Sequence, residues 1–437
     1  MRNPASYLRG LARNATSSET TRNVLTLVVA SGIAQLVFVA TIPIISRLYT
    51  PAQYGAYSLF LSLSTVLSVV AAWRYEVAIV LSDSLPDAIG LRRLSTAIGV
   101  GMCGLVTIAV VISFAAGVEL PGLEGSGRWA WFLGLSVFLL SQASVVSHWL
   151  TREKIYFSQG VSRIAKNIVI SAVQIALGLT ILSDTGGLIL GLVLGQAAAV
   201  VALVIGDRIS STRQSLSLPG VVSPLLGVLR KYRRIPLFNA PTAVLDAIRT
   251  NGIVIIIGAA SIATLGQFSL AWTMLQAPLA LVGAALTQVF YQKMASVTPA
   301  ELPAIVKTTI TRTALLSAVP FVAVMVWSPW LFVVVFGPQW QQAGVFGQIL
   351  VPWAYVNLVS APIANALLVI GKTQYLFYFA IPYTVVPLLV LALTRGEPVL
   401  SIAVLSGVMT LFLSAFLVIT LRAVRTYATL GIQKTDR

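Results

Sequence analysis

Charged residues, cysteine and histidine are scarce in this sequence. Only 10% of its 437 residues are charged, well under the soluble average of about 25%. Disorder is thereby excluded, because it needs low hydrophobicity and high charge. The single cysteine, Cys103, leaves no intrachain disulfide. With one histidine, His148, beside that cysteine, metal sites built from His and Cys clusters are excluded too. No catalytic residue, cofactor or metal is expected.

Apolar residues are in excess. They make up 57% of the chain, and the mean hydropathy is +0.90. A soluble globule of this length lacks the interior to hide them, since its surface still needs polar cover. A spanning helix needs about 20 apolar residues, so twelve take up roughly 240 residues. The rest suffices for tails and short loops. Apolar runs predict spans at 24–46, 57–81, 94–116, 129–150, 164–182, 188–205, 240–260, 266–291, 313–336, 345–370, 375–393 and 399–421. The first run, Val24 to Ile45, is too long for a signal-peptide core and has no small-residue cleavage site, so a retained helix is expected.

The formal charge is +16, from 29 Lys+Arg against 13 Asp+Glu. An even number of spans puts both termini on one side, and Lys/Arg bias decides which. With the N-terminus cytoplasmic, 24 Lys/Arg fall on tails and connections of that side, including Arg92, Arg93, Arg152, Arg163 and Lys166. The opposite side has three, Arg47, Arg128 and Arg395, while Arg74 and Arg249 lie inside spans. This predicts cytoplasmic termini. It also makes most of the +16 topological, which argues against nucleic acid as a partner.

The longest connection, 206–239, is basic and holds Pro219-Gly220 near its centre. It divides the chain into an N-lobe, 1–218, and a C-lobe, 219–437, of six spans each. A short pattern recurs between them. Pro51-Ala52-Gln53-Tyr54-Gly55-Ala56-Tyr57-Ser58-Leu59 follows the first span, and Ile262-Ala263-Thr264-Leu265-Gly266-Gln267-Phe268-Ser269-Leu270 follows the seventh. Aligning Gly55 with Gly266 gives an offset of 211 residues, near half the length. Duplication of an even-numbered unit predicts parallel repeats about an axis along the membrane normal. The expected fold is an all-α integral membrane protein, about twelve transmembrane helices in two six-helix lobes around a central cavity.

Arg47-Leu48-Tyr49-Thr50-Pro51-Ala52-Gln53-Tyr54-Gly55 resembles the first loop of bacterial polysaccharide-repeat flippases (Wzx-type; the polysaccharide biosynthesis protein family). Trp73-Arg74-Tyr75-Glu76 fits a common variant of that family, as does Phe336-Gly337-Pro338-Gln339-Trp340-Gln341-Gln342-Ala343-Gly344 followed by Gln348-Ile349-Leu350 and Pro352-Trp353. These motifs identify the multidrug/oligosaccharidyl-lipid/polysaccharide exporter superfamily better than any one substrate. The resemblance implies a transporter without ATP hydrolysis in the bacterial inner membrane. It would carry an undecaprenyl-pyrophosphate-linked oligosaccharide, an O-antigen or exopolysaccharide repeat unit, from the cytoplasmic to the periplasmic leaflet. Implied partners are that lipid, membrane lipids and other polysaccharide assembly proteins.

Moving an anionic, hydrated head group across about 30 Å of hydrocarbon needs a polar path. Ionisable residues inside spans are the first candidates, because each costs about 2.5–3.5 kcal/mol at a helix centre. Arg249, roughly 10–15 Å inside its helix with Asp246, has a guanidinium able to hold pyrophosphate bidentately. Arg74, near the cytoplasmic boundary, and Arg47, at the outer end of the first span, are the other expected substrate-binding residues. Local pairing is the alternative, since Asp246 and Arg249 are i,i+3 neighbours and Arg74 can snorkel. Glu76 and Asp246 are the candidates for coupling to protons or sodium, because a carboxylate withdrawn from water can exchange a proton as its surroundings change. A structural counter-ion is the bland alternative. Glutamines and asparagines within spans are expected mostly to pack helices together.

Two other functions compete with this one. A cation-coupled small-molecule or drug antiporter of the same superfamily would prefer an acidic cavity, and Arg74, Arg249 and Arg47 argue against one. An integral-membrane polymerase or glycosyltransferase would need catalytic groups on sizeable outer loops. The longest clear outer connection, 118–128, carries only Glu119, Glu124 and Arg128, so the chain is expected not to be an enzyme.

Overall fold

The computed structural model describes residues 18–117, 127–180, 184–211, 225–295, 297–298, 300–372, 374–394 and 396–435. Most of the 118–128 connection, Pro219-Gly220 and Arg395 lie outside the described residues. So do the tail arginines Arg2, Arg9, Arg13 and Arg437.

Among the described residues the regular elements are all helical. In chain order they are α1 (Ser18–Leu48), α2 (Pro51–Ala71), α3 (Tyr75–Leu81), α4 (Leu85–Ala115), α5 (Phe132–Arg152), α6 (Tyr156–Gly178), α7 (Thr185–Ser211), α8 (Leu225–Tyr232), α9 (Arg234–Ala260), α10 (Ile262–Ala295), α11 (Leu302–Phe336), α12 (Gln341–Ser360), α13 (Ala364–Val369), α14 (Gln374–Leu393) and α15 (Pro398–Thr435). Short 3-10 turns at Gly127–Trp131 and Pro338–Trp340 lead into α5 and α12. Among the described residues twelve helical segments are long and apolar enough to cross a membrane. Helices are forced here because a bilayer offers no water to backbone N–H and C=O groups.

Several helix bounds differ from the apolar runs that predict them. The second span starts at Pro51 rather than residue 57 and ends at Ala71 rather than 81. Its start is set by a capping box. The Thr50 backbone N–H donates to Gln53 Oε1 at 2.8 Å, and Gln53 N–H donates to Thr50 Oγ1 at 3.3 Å. Pro51 occupies the first helical position, where it costs no hydrogen bond. Thr50-Pro51-Ala52-Gln53 is thus a helix-start signal. The fifth span begins at Tyr156, eight residues before its expected start. In the tenth, residues 361–363, with Pro362, interrupt the helix between α12 and α13.

The chain forms two compact units. One takes the residues up to Tyr49 together with Leu59–Asn251, and the other takes Thr50–Ser58 with Gly252–Arg437. In the first unit, α6 packs between α1 and α7, α5 packs on α4 and α7, and the short α8 rests on α4. The α6–α7 contact uses small residues, Gly191 and Gly195 of α7. A Cβ on Gly191 would lie 2.4 Å from Gln174 Cγ, and one on Gly195 2.3 Å from Ile170 Cγ1.

In the second unit, α12 packs against α10, α11 and α15. The recurring segments meet here. A Cβ on Gly55 would stand 1.9 Å from the carbonyl oxygen of Ile262, and one on Gly266 1.7 Å from that of Pro51. Pro51 and Ile262 are themselves equivalent under the 211-residue offset. Each copy therefore lays its glycine under the other copy's carbonyl, a reciprocal contact that leaves no room for a side chain. Beside it, Gln267 clasps the Gly337-Pro338-Gln339-Trp340 corner. Its Nε2 donates to Gln339 O at 2.6 Å, and its Oε1 accepts from Ala343 N at 2.8 Å. Trp340 is fully buried, its ring edge-on to Tyr54 with centroids 5.7 Å apart. It is a core residue, not the interfacial tryptophan that its place near a span end suggests. Trp131, Trp327 and Trp330 are exposed, as an interfacial belt requires.

Gly55→Ala and Gly266→Ala should each destabilise the folded protein by about 1–3 kcal/mol through overpacking. Gly104→Ala, where nothing lies within 4 Å of the added carbon, should be neutral or slightly stabilising. Thermal unfolding of the three variants in detergent checks this. Equal melting temperatures would remove the contact from the fold's constraints.

Candidate functional site

Among the helices long and apolar enough to cross a membrane, α9 carries Asp246 and Arg249 and α6 carries Arg163 and Lys166. Arg249 lies about 22 Å along α9 from its start at 1.5 Å per residue. It is engaged, because Asp246 Oδ1 accepts from its Nε at 3.2 Å and from Nη2 at 2.9 Å. Both side chains stay accessible, at 38% for Arg249 and 67% for Asp246. The pair leaves the guanidinium's Nη1 donors outside the ion pair. Charges so accessible at this depth require a water-filled or ligand-filled surrounding, since exposure to hydrocarbon is costly.

Arg74 lies past the end of the second span. The chain leaves α2 at Ala71 and turns through residues 72–74 into α3. Trp73 and Arg74 both adopt left-handed backbone, at φ 47° and 60°, which costs a non-glycine residue about 1–2 kcal/mol. The turn sets Arg74 Nη1 3.5 Å from Glu76 Oε1, a distant ion pair. Glu76 is 3% exposed, and its Oε2 is buried with no hydrogen-bond partner, as is Arg74 Nε. Arg47 is exposed in the last turn of α1, where a cation complements the helix's negative end. Among the described residues no hydrogen bond or ion pair joins the Arg74–Glu76 pair to the Asp246–Arg249 pair.

Several residues that count only as topological charge in the sequence have fixed partners at one end of the first unit. Arg92 Nη2 donates to Asp207 Oδ2 at 2.7 Å, Trp149 Nε1 donates to Asp207 Oδ1 at 2.9 Å, and the Arg92 guanidinium lies 5.0 Å over the Trp149 ring. Arg152 donates to Ser82 O at 2.6 Å and to Ile79 O at 3.0 Å, satisfying carbonyls at the end of α3. Asp87 accepts from Lys231 Nζ, and from Tyr232 OH at 3.1 Å. The hydrogen bond to Asp87 pushes the Lys231 ammonium pKa up from its ordinary value. These contacts tie α8 to α4 and gather α4, α5 and α7.

Two cations that the charge count assigns to a cytoplasmic loop are instead inside a span. Because α6 starts at Tyr156, Arg163 lies about 10 Å and Lys166 about 15 Å along it. No ion pair among the described residues includes either one. Arg163 sits on a polar seam between α1 and α6, while the Lys166 backbone faces Gly195 of α7. Arg163 Nη1 donates to Ser31 Oγ at 2.5 Å, and Asn167 Nδ2 donates to Ala34 O at 2.7 Å. Thr41 and Ser171 hydroxyls meet at 2.8 Å, and Tyr49 OH donates to Gln174 O at 2.8 Å. Burial pushes the Tyr49 phenol up to about 12. The signal that reveals these cations is periodicity. Gln159, Gly160, Ser162, Ile170, Ser171 and Gln174 form one buried stripe that begins before the apolar run does.

In-span glutamines act as cross-helix packing groups. Gln174 Nε2 donates to Leu188 O at 3.0 Å, Gln196 accepts from Ser136 at 2.9 Å and Gln142 from Thr96 at 3.1 Å. Among the described residues no group of three or more His, Cys, Asp and Glu is placed to hold a metal.

Comparison with solved structures finds the same fold. A multidrug resistance MATE family transporter of the MOP superfamily, in its inward-facing conformation, matches with TM-score 0.65 and 13% identity over 91% of this chain and 96% of that one. The lipid II flippase MurJ, in an inward closed conformation, matches with TM-score 0.67 and 12% identity over 92% and 90%. Comparison with curated protein sequences finds no match. Residues 44–344 match the polysaccharide biosynthesis protein family. That range carries both recurring segments, the Trp73-Arg74-Tyr75-Glu76 turn and the Gly337–Trp340 corner, and the chain is a multi-pass membrane protein belonging to the polysaccharide biosynthesis protein family.

Proposed function

We propose that this protein is a flippase for an undecaprenyl-pyrophosphate-linked oligosaccharide, an O-antigen or exopolysaccharide repeat unit. It moves that lipid from the cytoplasmic to the periplasmic leaflet of the bacterial inner membrane, with both termini cytoplasmic. It works by alternating access between two six-span lobes, 1–218 and 219–437, without enzymatic chemistry. The observation that carries this reading is the polysaccharide biosynthesis family match over residues 44–344. A fold shared with the lipid II flippase MurJ and membrane-depth arginines in a chain with few charges support it.

Arg249 is the proposed central phosphate ligand. Asp246 holds the guanidinium in place through Nε and Nη2, and the Nη1 edge remains to donate to a phosphate oxygen. Arg74 and Arg47 bind the same substrate near the two ends of its route. Glu76 and Asp246 are the proposed coupling carboxylates. Glu76 keeps one buried carboxylate oxygen without a hydrogen-bond partner, a charge withdrawn from water as an ion-coupling site requires. Asp246 couples differently, by exchanging its hold on Arg249 as substrate arrives.

Arg249→Ala should cut surface polysaccharide by about tenfold or more, the effect of losing one charge-assisted contact worth roughly 1.5–3 kcal/mol, at unchanged protein level in the membrane. Normal polymer in those cells removes Arg249 from the route. Transport into vesicles should fall when the proton and sodium gradients are both collapsed. Full transport without either gradient dismisses Glu76 and Asp246 as couplers.

A further inference from the structure

Arg163 and Lys166 present uncompensated charge at membrane depth. Successive residues of a helix are turned by 100°, so positions seven and eleven apart fall on nearly one face. Arg163 therefore shares a face with Ile170 and Gln174, both buried against neighbouring helices. Lys166, one turn before Ile170, belongs to the same stripe, and its carbonyl oxygen packs 2.8 Å from where a Gly195 Cβ would be. The opposite face carries Phe157, Val161 and Ile168, which are exposed and apolar and suit lipid. Arg163 is nonetheless exposed. Exposure on the protein-facing stripe means that the packing around α6 opens at that level.

A cation at a helix centre costs about 2.5–3.5 kcal/mol on insertion, and among the described residues no carboxylate pairs with either one. Ser31, donated to at 2.5 Å, fixes one edge of the Arg163 guanidinium and leaves its other donors outside that bond. Asn167, a neighbour on the same stripe, is anchored to α1 through Ala34 O. A held guanidinium and an ammonium three residues away, with no carboxylate paired to either among the described residues, make a receptor for a doubly charged oxyanion.

We propose that Arg163 and Lys166 form an intramembrane site for the phosphate groups of a prenyl-pyrophosphate lipid, with Ser31 positioning Arg163. This rests on the flippase reading and adds to it a cation pair in the fifth span, distinct from Arg249. The pair takes the pyrophosphate while the prenyl chain stays in the bilayer.

The test uses the full-length protein in nanodiscs and measures binding of undecaprenyl pyrophosphate, undecaprenol and phosphatidylglycerol by native mass spectrometry. Wild type should bind the pyrophosphate well above undecaprenol. R163Q/K166Q should weaken that binding about tenfold or more, while R163K/K166R, which keeps both charges but moves the guanidinium off Ser31, should weaken it less than R163Q/K166Q does. Inorganic pyrophosphate should displace the bound prenyl pyrophosphate from wild type, a measurement that stands even if the double variant fails to fold. Unchanged binding by R163Q/K166Q, with wild type binding well, overturns the site and leaves the flippase reading intact. An equal loss for phosphatidylglycerol marks a general anionic-lipid contact and overturns the assignment. Absence of prenyl-pyrophosphate binding by wild type overturns both.

Discussion

Hydrocarbon gives a polar group nothing to bond to, and every other feature of this protein answers that constraint. Backbone groups are satisfied within helices, so the described regular elements hold no strand. Side-chain hydroxyls turn back onto carbonyls one turn earlier, as at Ser58, Ser64 and Thr65. Glutamines reach across to neighbouring helices. Charges are the hardest case, and the structure handles them in three ways: the accessible pair Asp246–Arg249, the strained turn with its distant pair Arg74–Glu76, and the carboxylate-free cations Arg163 and Lys166. Among the described residues the last arrangement leaves two cations of one candidate span without an ion pair, which is why it bears on an anionic cargo.

The reciprocal glycine contact answers a second constraint, close approach without a hydrophobic driving force between helices. In lipid, association depends on packing and on small residues that let backbones come together. Gly55 and Gly266 satisfy this where the two recurring segments meet, so the motif that marks the internal similarity is also the site of its tightest contact. Thr50-Pro51-Ala52-Gln53 fixes where the first of these helices begins, through a capping box. Family-typical residues here thus have structural explanations that precede any functional one.

Much of the membrane organisation was legible in advance, because a run of about 20 apolar residues has few other uses. The candidate site was less so. Arg249 and Asp246 were visible as charges within an apolar run, and their i,i+3 spacing already offered the pairing that the structure contains. Arg163 and Lys166 were not. They follow Ser158, Gln159 and Ser162, so the apolar run starts late and a charge count assigns them to a loop. The helix itself starts at Tyr156, since helix formation depends on backbone bonding and not on the polarity of its first turns. Trp340 shows the reverse error, a tryptophan near a span end that belongs to the core.

Composition and spacing alone determined the class of molecule, the number of crossings, the charge asymmetry and the 211-residue internal similarity, because each depends only on the order of apolar and charged residues along one dimension. Which charges are paired, which glycines touch and which cations stand within a span were decided only in three dimensions. Ser31 and Arg163 are 132 residues apart, and the cavity-facing value of a cation depends on what the rest of the chain packs, or fails to pack, against it.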